Sequence, residues 1–239
     1  MGIVRKLGFR KRWKAWLIGG VAAIVVLAVG GPFVYIHFLN GNEPAALKLD
    51  ASKATSSSSS STPVSNNVNG TWKIGSGSQT GYRVHEVLIG QSTTAVGRTG
   101  SITGSIVISG TNVTKGSFSV DMTTVTSNKS QRDKQFQGRI MQTSTYPKAT
   151  FTLTKPITFG SVPAAGKTIS ATATGDLTLH GTTKSVTFTV QALRSGNIIE
   201  VQGSIPVAFS DYKISSPSLS GFVTVDNHGT LEFLLHLGR

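Results

Sequence analysis

The sequence contains no cysteine in its 239 residues. Such a chain forms no disulfide and has no thiol nucleophile or cysteine-ligated metal centre. Acidic residues are also scarce, with ten Asp and Glu against 23 Lys and Arg, for a formal net charge of +13. The histidines show no H-x-x-x-H spacing, and no G-x-S-x-G nucleophile motif is present. The sequence therefore carries no local signature of metal, thiol or serine catalysis.

The basic residues are unevenly distributed. Nearly half of the basic excess lies in the first fourteen residues, which contain six Lys and Arg and no acidic residue. Further along, basic residues occur singly, without a cluster of the kind that binds nucleic acid. No nucleic-acid partner is therefore expected. A solvated polar face explains these single charges, and weak attraction to anionic lipid headgroups is the alternative.

Residues 16–39 form an apolar run without Lys, Arg, Asp or Glu. As a helix this run would be about 36 Å long, enough to cross the roughly 30 Å hydrocarbon layer of a bilayer. Because basic residues precede it and few follow, the positive-inside rule predicts residues 1–15 in the cytoplasm and the rest outside. The run does not end in a small-x-small cleavage site. An uncleaved single-pass anchor is therefore favoured over a cleaved signal peptide.

Residues 40–69 are predicted to form a disordered, Ser/Thr-rich linker. This stretch includes an unbroken run of serines at 56–61 and has little apolar content. It cannot bury enough apolar surface to offset the conformational entropy lost on folding. As a flexible coil it would span about 30 Å, so the following domain is expected within one domain diameter of the outer leaflet.

From Gly70 onward, apolar residues alternate with polar ones, most clearly in ISATATGDLTL (169–179) and IEVQGSIPVAF (199–209). This period of two predicts strands with one buried face, separated by turns at Gly- and Asn-rich breaks. Residues 127–147 lack the alternation and predict a short helix with a loop that ends at Pro147. The prediction for residues 70–239 is thus an all-β domain with about eight antiparallel strands and one short helical segment.

A sheet of this size must close into a barrel or split into a sandwich to protect its edges. Glycines at 97, 100 and 104 are bend points within a long strand run near 94–108, and they favour a barrel. A barrel of eight strands has room for its own side chains or for one modest ligand. Small inward residues such as Ala171 and Ala173 leave space, but they are equally explained by packing against phenylalanine rings. The residues alone leave both alternatives open.

Several stretches together resemble the YceI-like family. They are YRVHEVLIG (82–90), AVGRTGSITGSIVI (95–108), SFSVDMTTVTSN (117–128), QRDKQFQGRIMQTSTYPKATFTLT (131–154) and LTLHGTTKSVTF (177–188). Each stretch is weakly specific, but their order is preserved across roughly residues 71–237. The resemblance implies a lipocalin-like barrel that binds an isoprenoid lipid, such as a polyisoprenoid or an isoprenoid quinone, non-covalently. Family members commonly carry a cleaved signal, whereas the apolar run here predicts an anchor.

Ten inward positions are predicted to line the cavity and contact this lipid. Their inward direction follows from the alternation, and their contact with a ligand is implied by the resemblance. They are Phe118, Val120, Met122, Phe151, Ile169, Ala171, Leu177, Phe188, Val201 and Phe233. Arg132 and Asp133 match an Arg-Asp pair of the family. We expect them to anchor the helical segment to the barrel, and contact with a ligand headgroup is the alternative.

The residues predict a membrane-tethered, extracytoplasmic protein of the cell envelope, without a cofactor and not an enzyme, and the resemblance implies that it binds a lipid. The alternative is an envelope interaction module whose barrel is filled with side chains and whose loops bind a protein or a glycan. A continuous apolar cavity favours the first function and a solid interior the second. A polar cluster converging on a pocket, for example His85 with Glu86 or Arg98, would favour an enzyme. No pattern indicates an oligomeric state.

Overall fold

The computed structural model describes residues 43–49, 67–88, 90–195, 197–215, 217–218 and 223–239. The expected anchor at 16–39 and most of the predicted linker lie outside these residues. Within the described residues, no helix combines the length and the apolar character that a membrane span requires.

In the described part of the chain, thirteen strands form one antiparallel sheet. Their bounds are β1 Gly70–Ile74, β2 Gln79–Leu88, β3 Gln91–Thr99, β4 Ile102–Ser109, β5 Asn112–Asp121, β6 Thr126–Ser127, β7 Lys148–Lys155, β8 Ile157–Thr158, β9 Thr168–Leu179, β10 Thr182–Ser195, β11 Ile198–Ala208, β12 Val223–Val225 and β13 His228–Gly238. The helical elements are α1 Ser130–Gln135, a π-helical turn at Phe136–Ile140 and 3-10 turns at Met122–Thr124 and Phe209–Tyr212.

The sheet closes into a barrel with eight strand positions. The order is β1-β4-β5-β7-β9-β10-β11-β13, and β1 pairs with β13 to complete the circle. Strand β2 pairs with the first half of β13 and with β3, so β2 and β3 extend the wall that β1 and β4 begin. The run predicted near 94–108 is divided at Gly100, one of its predicted bend points. The prediction of a closed antiparallel barrel with one short helix is confirmed.

The β9–β10 hairpin shows how the local sequence sets the register. His180 and Gly181 both have positive φ angles, 49° and 71°, as a two-residue turn that follows the twist of the strands requires. A Cβ on Gly181 would also lie 2.5 Å from the ring of Tyr146. The turn places Phe188 opposite Ala173 and thereby directs the apolar residues of both strands into the barrel.

The two ends of the barrel are built differently. At the closed end, Trp72 is 3% exposed and packs with Ile106 and Leu237, and its indole Nε1 donates a hydrogen bond to the carbonyl of Val68 at 2.8 Å. At the opposite end the cavity is lined by a separate helical segment, made of α1 and the π-helical turn, together with the segment that begins at Phe209. We call this end the open end. As predicted, residues 127–147 contain a short helix followed by a loop.

Residues 43–49 depart from the predicted linker. They lie against the outer wall of the barrel, where Leu47 is buried and its backbone N–H donates to Oε2 of Glu232 at 3.2 Å. The prediction of a disordered linker is therefore wrong for these seven residues. Their contacts come from residues far away in the sequence, which the local composition does not reveal. Val68 is buried as well, so the ordered wall begins before the predicted boundary at Gly70.

Candidate binding cavity

The barrel encloses a cavity of about 710 Å³. Its wall is formed by the inward side chains of the strands, which are almost all apolar because the period-two alternation points them to one face. The volume lies within the range of roughly 300–1,000 Å³ that small-molecule sites occupy. The barrel interior is therefore hollow and is not filled by its own side chains.

All ten residues predicted at inward positions line this cavity. They are Phe118 and Val120 on β5, Met122 after β5, Phe151 on β7, Ile169, Ala171 and Leu177 on β9, Phe188 on β10, Val201 on β11 and Phe233 on β13. Their location follows the alternation, whereas their contact with a ligand stays a prediction.

A row of aromatic rings crosses the middle of the cavity. Phe188 stands edge-to-face between Phe151, at 5.5 Å, and Phe233, at 6.0 Å between ring centroids. Glycines make room for the outer two rings. A Cβ on Gly175 would lie 2.4 Å from Cζ of Phe151, and one on Gly203 would lie 2.5 Å from Cζ of Phe233. Some small inward residues thus make room for phenylalanine rings, which is one of the two alternatives that the sequence left open. A cavity nevertheless remains beside these rings.

One ion pair interrupts the apolar lining at the open end. Glu86 on β2 points inward and is buried, and its Oε1 accepts a hydrogen bond from Nη2 of Arg132 at 2.8 Å. Arg132 also donates to Oδ1 of Asn128 at 2.8 Å. The neighbouring Asp133 accepts hydrogen bonds from the backbone N–H and the hydroxyl of Ser127, at 2.8 and 2.6 Å. The expected anchoring role of Arg132 and Asp133 is confirmed.

Tyr82 lies next to this ion pair and links the barrel to the helical segment. Its ring stacks on Phe136 with 5.0 Å between centroids and an interplanar angle of 13°. Burial raises the pKa of Tyr82 to about 12, against a smaller opposing effect of Arg132. The phenol is therefore neutral at physiological pH. This end of the cavity combines a compensated charge pair with a neutral hydroxyl. Most of the remaining wall is apolar, with Arg194 as a further buried charged residue.

The residues considered for an enzymatic cluster do not converge. Glu86 points into the cavity, but His85 bonds outside it to Asp226 at 3.3 Å and to Ser92 at 2.8 Å. Arg98 pairs with Glu232 on the outer wall at 2.7 Å. Within the described residues, no three His, Asp or Glu side chains are placed to hold a metal ion.

Sequence reasoning missed Glu86 as a residue of the cavity wall. The signal was present, because every second residue of β2 points to the same face, and the structure places four of them along the cavity. These are Tyr82, Val84, Glu86 and Leu88. A charged residue at an otherwise apolar inward position indicates a buried partner, which here is Arg132. The contribution of Phe136 had no such signal, because the helical segment shows no alternation.

A model of the YceI-like domain matches residues 49–237. The chain belongs to the YceI-like family. Two UPF0312 proteins, from Vibrio campbellii and Vibrio parahaemolyticus, are 32% identical to it over 116 residues. Each match covers 46% of this chain and 58% of the relative, so the chain spans less than two thirds of these relatives.

Two solved structures share the YceI-like barrel. One is a polyisoprenoid-binding domain from Saccharophagus degradans implicated in plant cell wall breakdown, with a TM-score of 0.56, 17% identity, and coverage of 71% of this chain and 98% of that one. The other is BcnA of Burkholderia cenocepacia, with a TM-score of 0.51, 19% identity, and coverage of 65% and 95%. At these identities the likeness establishes the fold. A YceI-like barrel with an apolar cavity supports lipid binding.

Proposed function

We propose that this YceI-like protein binds an isoprenoid lipid non-covalently in its barrel, and that residues 16–39 anchor it in a membrane with the barrel on the extracytoplasmic side. The observation that carries the lipid proposal is the apolar cavity of about 710 Å³. The cavity wall includes Leu88 near the open end and Val68 at the closed end, so a chain-shaped ligand fits its length. The Saccharophagus degradans domain, described as polyisoprenoid-binding, shares this fold.

The energetics favour a long apolar ligand. Removing apolar surface from water is worth about 25 cal/mol per Å², so burying about 400 Å² of a prenyl chain is worth about 10 kcal/mol before the costs of binding. A polar end group is better placed beside Glu86 and Arg132 at the open end than against the apolar wall, where it would lose its hydrogen bonds. The hollow interior counts against the alternative of a side-chain-filled interaction module.

The test is to extract lipid from the purified full-length protein and identify it by mass spectrometry. We expect an isoprenoid lipid well above the level found with a protein made of residues 1–69 alone. Ala171→Trp places an indole in the cavity and is expected to reduce the bound lipid at least about ten-fold, because the indole narrows the lumen along the path that the lipid chain would take. Thr172→Trp, on the exposed face of the same strand, is the matched control and should retain the lipid.

Two results would contradict the proposal. One is isoprenoid at the level of the residue 1–69 control in the wild-type protein. The other is undiminished lipid in a folded Ala171→Trp variant, which would mean that the cavity near β9 is not where the chain lies. Circular dichroism of both tryptophan variants establishes that they are folded.

A further inference from the structure

Residues 43–49, which we call the strap, are held on the outer wall of the barrel by polar contacts. The carboxylate of Glu43 accepts hydrogen bonds from the hydroxyl of Thr93 and the backbone N–H of Thr94 on β3. The carbonyl of Pro44 accepts a hydrogen bond from Nη1 of Arg83 at 2.7 Å. The next carbonyl, that of Ala45, accepts one from Nη2 of Arg98. Three successive strap residues are thus each bonded to the barrel.

The fourth attachment uses a buried carboxylate. Glu232 lies on the outward side of β13, yet its side chain is only 4% exposed. Its Oε1 is 2.7 Å from Nη2 of Arg98 and 3.8 Å from Nη1 of Arg83, and its Oε2 accepts the backbone N–H of Leu47. The same two arginines that bind the strap carbonyls therefore also compensate Glu232. A buried charge on the outer face of a strand is uncommon, and here the strap supplies part of its cover.

The direction of the strap follows from the strand register. Thr93 is paired with Glu86 and is the third residue of β3, two positions after Gln91 at the open end. Glu232 lies halfway along β13, between His228 towards the open end and Leu237 at the closed end. The chain therefore reaches the barrel at its open end and runs down the outer wall. It rejoins the barrel at Val68, beneath Trp72 of the closed end.

This course changes the length of the connection to the predicted anchor. Leu39 is the last residue of the apolar run, and Glu43 is the first residue of the strap. Four residues of extended chain span at most about 14 Å. A thirty-residue coil would instead have placed the barrel at about 30 Å and in any orientation. With the strap in place, the Ser-rich stretch connects the strap to β1 and does not determine the distance to the membrane.

We infer that the strap docks the barrel against the bilayer with its open end first, so that the cavity faces the lipid from which its ligand is drawn. This inference rests on the proposed anchor and ligand. Exposed basic residues at the open end suit a surface of anionic headgroups, with Asp211 and Asp226 as acidic neighbours and Asp121 beside Lys148. The basic residues are Lys134 and Arg139 on the helical segment and Lys213 after the second 3-10 turn.

The experiment measures the depth of each barrel end in liposomes that contain the full-length protein. Because the chain has no cysteine, a single Ser144→Cys at the open end or Ser109→Cys at the closed end takes one fluorescent label. Both serines are exposed. A quencher attached to the lipid headgroups should quench the label of the Ser144→Cys variant several-fold more than the label of the Ser109→Cys variant. Equal quenching of the two labels would overturn the inference.

A pair of insertions separates the strap from the linker as the element that sets the distance. About twelve Gly and Ser residues inserted after Gly41 lengthen the connection before the strap, whereas the same insertion after Ser58 lengthens the connection behind it. We expect the first insertion to abolish the difference between the labels and the second to leave it unchanged. Equal effects of the two insertions would mean that the strap does not hold the barrel.

The strap itself is tested with Glu43→Ala combined with Leu47→Asp, which removes the carboxylate at Thr93 and buries a charge at Glu232. The labels are then expected to be quenched alike. These readouts do not depend on bound lipid. Protein in the soluble fraction would indicate that the anchor proposal has failed, and isoprenoid-free protein with unequal quenching would indicate that only the ligand proposal has failed.

Discussion

The closed and the open end of the barrel are formed by the same strands but are held together by different interactions. At the closed end, Trp72 and Leu237 are almost completely buried among aliphatic side chains. At the open end, a helical segment is attached through the Glu86–Arg132 ion pair and the stacking of Tyr82 on Phe136. Apolar packing is collective, whereas the attachment of the helical segment depends on a few directional contacts. The open end is therefore the part of the barrel that can separate locally while the sheet remains intact.

The largest effect is expected from removing the indole at the closed end. Trp72→Ala should lower the free energy of unfolding by about 3–5 kcal/mol, because it leaves a cavity in a packed cluster. Urea unfolding followed by circular dichroism measures this change. Ile198→Ala is the control, since Ile198 lies at the same end and is 46% exposed. A loss below about 1 kcal/mol for Trp72→Ala would mean that the closed end does not hold the barrel together.

A smaller effect is expected at the open end. Arg132→Met leaves Glu86 buried without its cation and should lower the free energy of unfolding by about 2 kcal/mol, less than for fully buried pairs because Arg132 is 20% exposed. Hydrogen exchange should accelerate in residues 130–140 more than in β9 and β10. Lys134→Met on the exposed side of α1 is the control. Uniform acceleration over the whole barrel would contradict a separable open end.

Alkaline titration sharpens the same comparison. Since the pKa of Tyr82 is raised to about 12 from an ordinary value of 10.0, the folded protein keeps this proton longer than the unfolded chain does. Its contribution to stability is complete below pH 10 and is lost as the pH rises towards 12. Absorbance at the tyrosinate band should show a component near pH 12 that Tyr82→Phe removes. Ionisation of Tyr82 near pH 10 would indicate that water reaches the open end freely.

The smallest effect concerns the strap at acidic pH. Burial raises the pKa of Glu43, but hydrogen bonds from Thr93 and Thr94 and the charge of Arg83 outweigh it, so this pKa is below its ordinary value of 4.5. The docked strap is therefore favoured above that value, and the gain is lost as the pH falls through the lowered pKa. Proteolysis within residues 43–49 should become faster at low pH in the wild type. Glu43→Gln should be insensitive over the same range.

Other charged groups lie near the strap, and their contribution to this acid response has to be distinguished from that of Glu43. Arg98 and Glu232 face the strap from β3 and β13, and His85 and Asp226 line a surface pocket together with strap residues 46–49. Glu232→Gln, which keeps an acceptor for Leu47, is the variant that distinguishes them. If the pH dependence vanished in Glu232→Gln and persisted in Glu43→Gln, the buried carboxylate and not Glu43 would control release of the strap.

The inward wall of the barrel could be predicted from the sequence because the direction of a side chain on a strand is a local property. The alternation of side chains along a strand is enough to direct Ala171 and Phe188 inward, and the number of strands is enough to favour a sheet that closes into a barrel. The strap could not be predicted this way. Leu47 and Glu232 are 185 residues apart, and the composition around Leu47 is that of a linker. The hollow lumen also could not be predicted, because Gly203 makes room for a ring whereas Ala171 lines the cavity, although both are small inward residues.

Phe151 and Phe233 each pack against a glycine on the neighbouring strand, so the width of the cavity at each ring depends on two residues that can be exchanged together. Exchanging Gly203 for alanine together with Phe233 for leucine would keep the local volume nearly constant while moving the constriction from one strand to the next. A thick, methyl-branched chain and a slim straight one would then be sorted by where the narrowing lies. The selectivity between branched and straight ligand chains would change in this way without any change to the pairing of the strands.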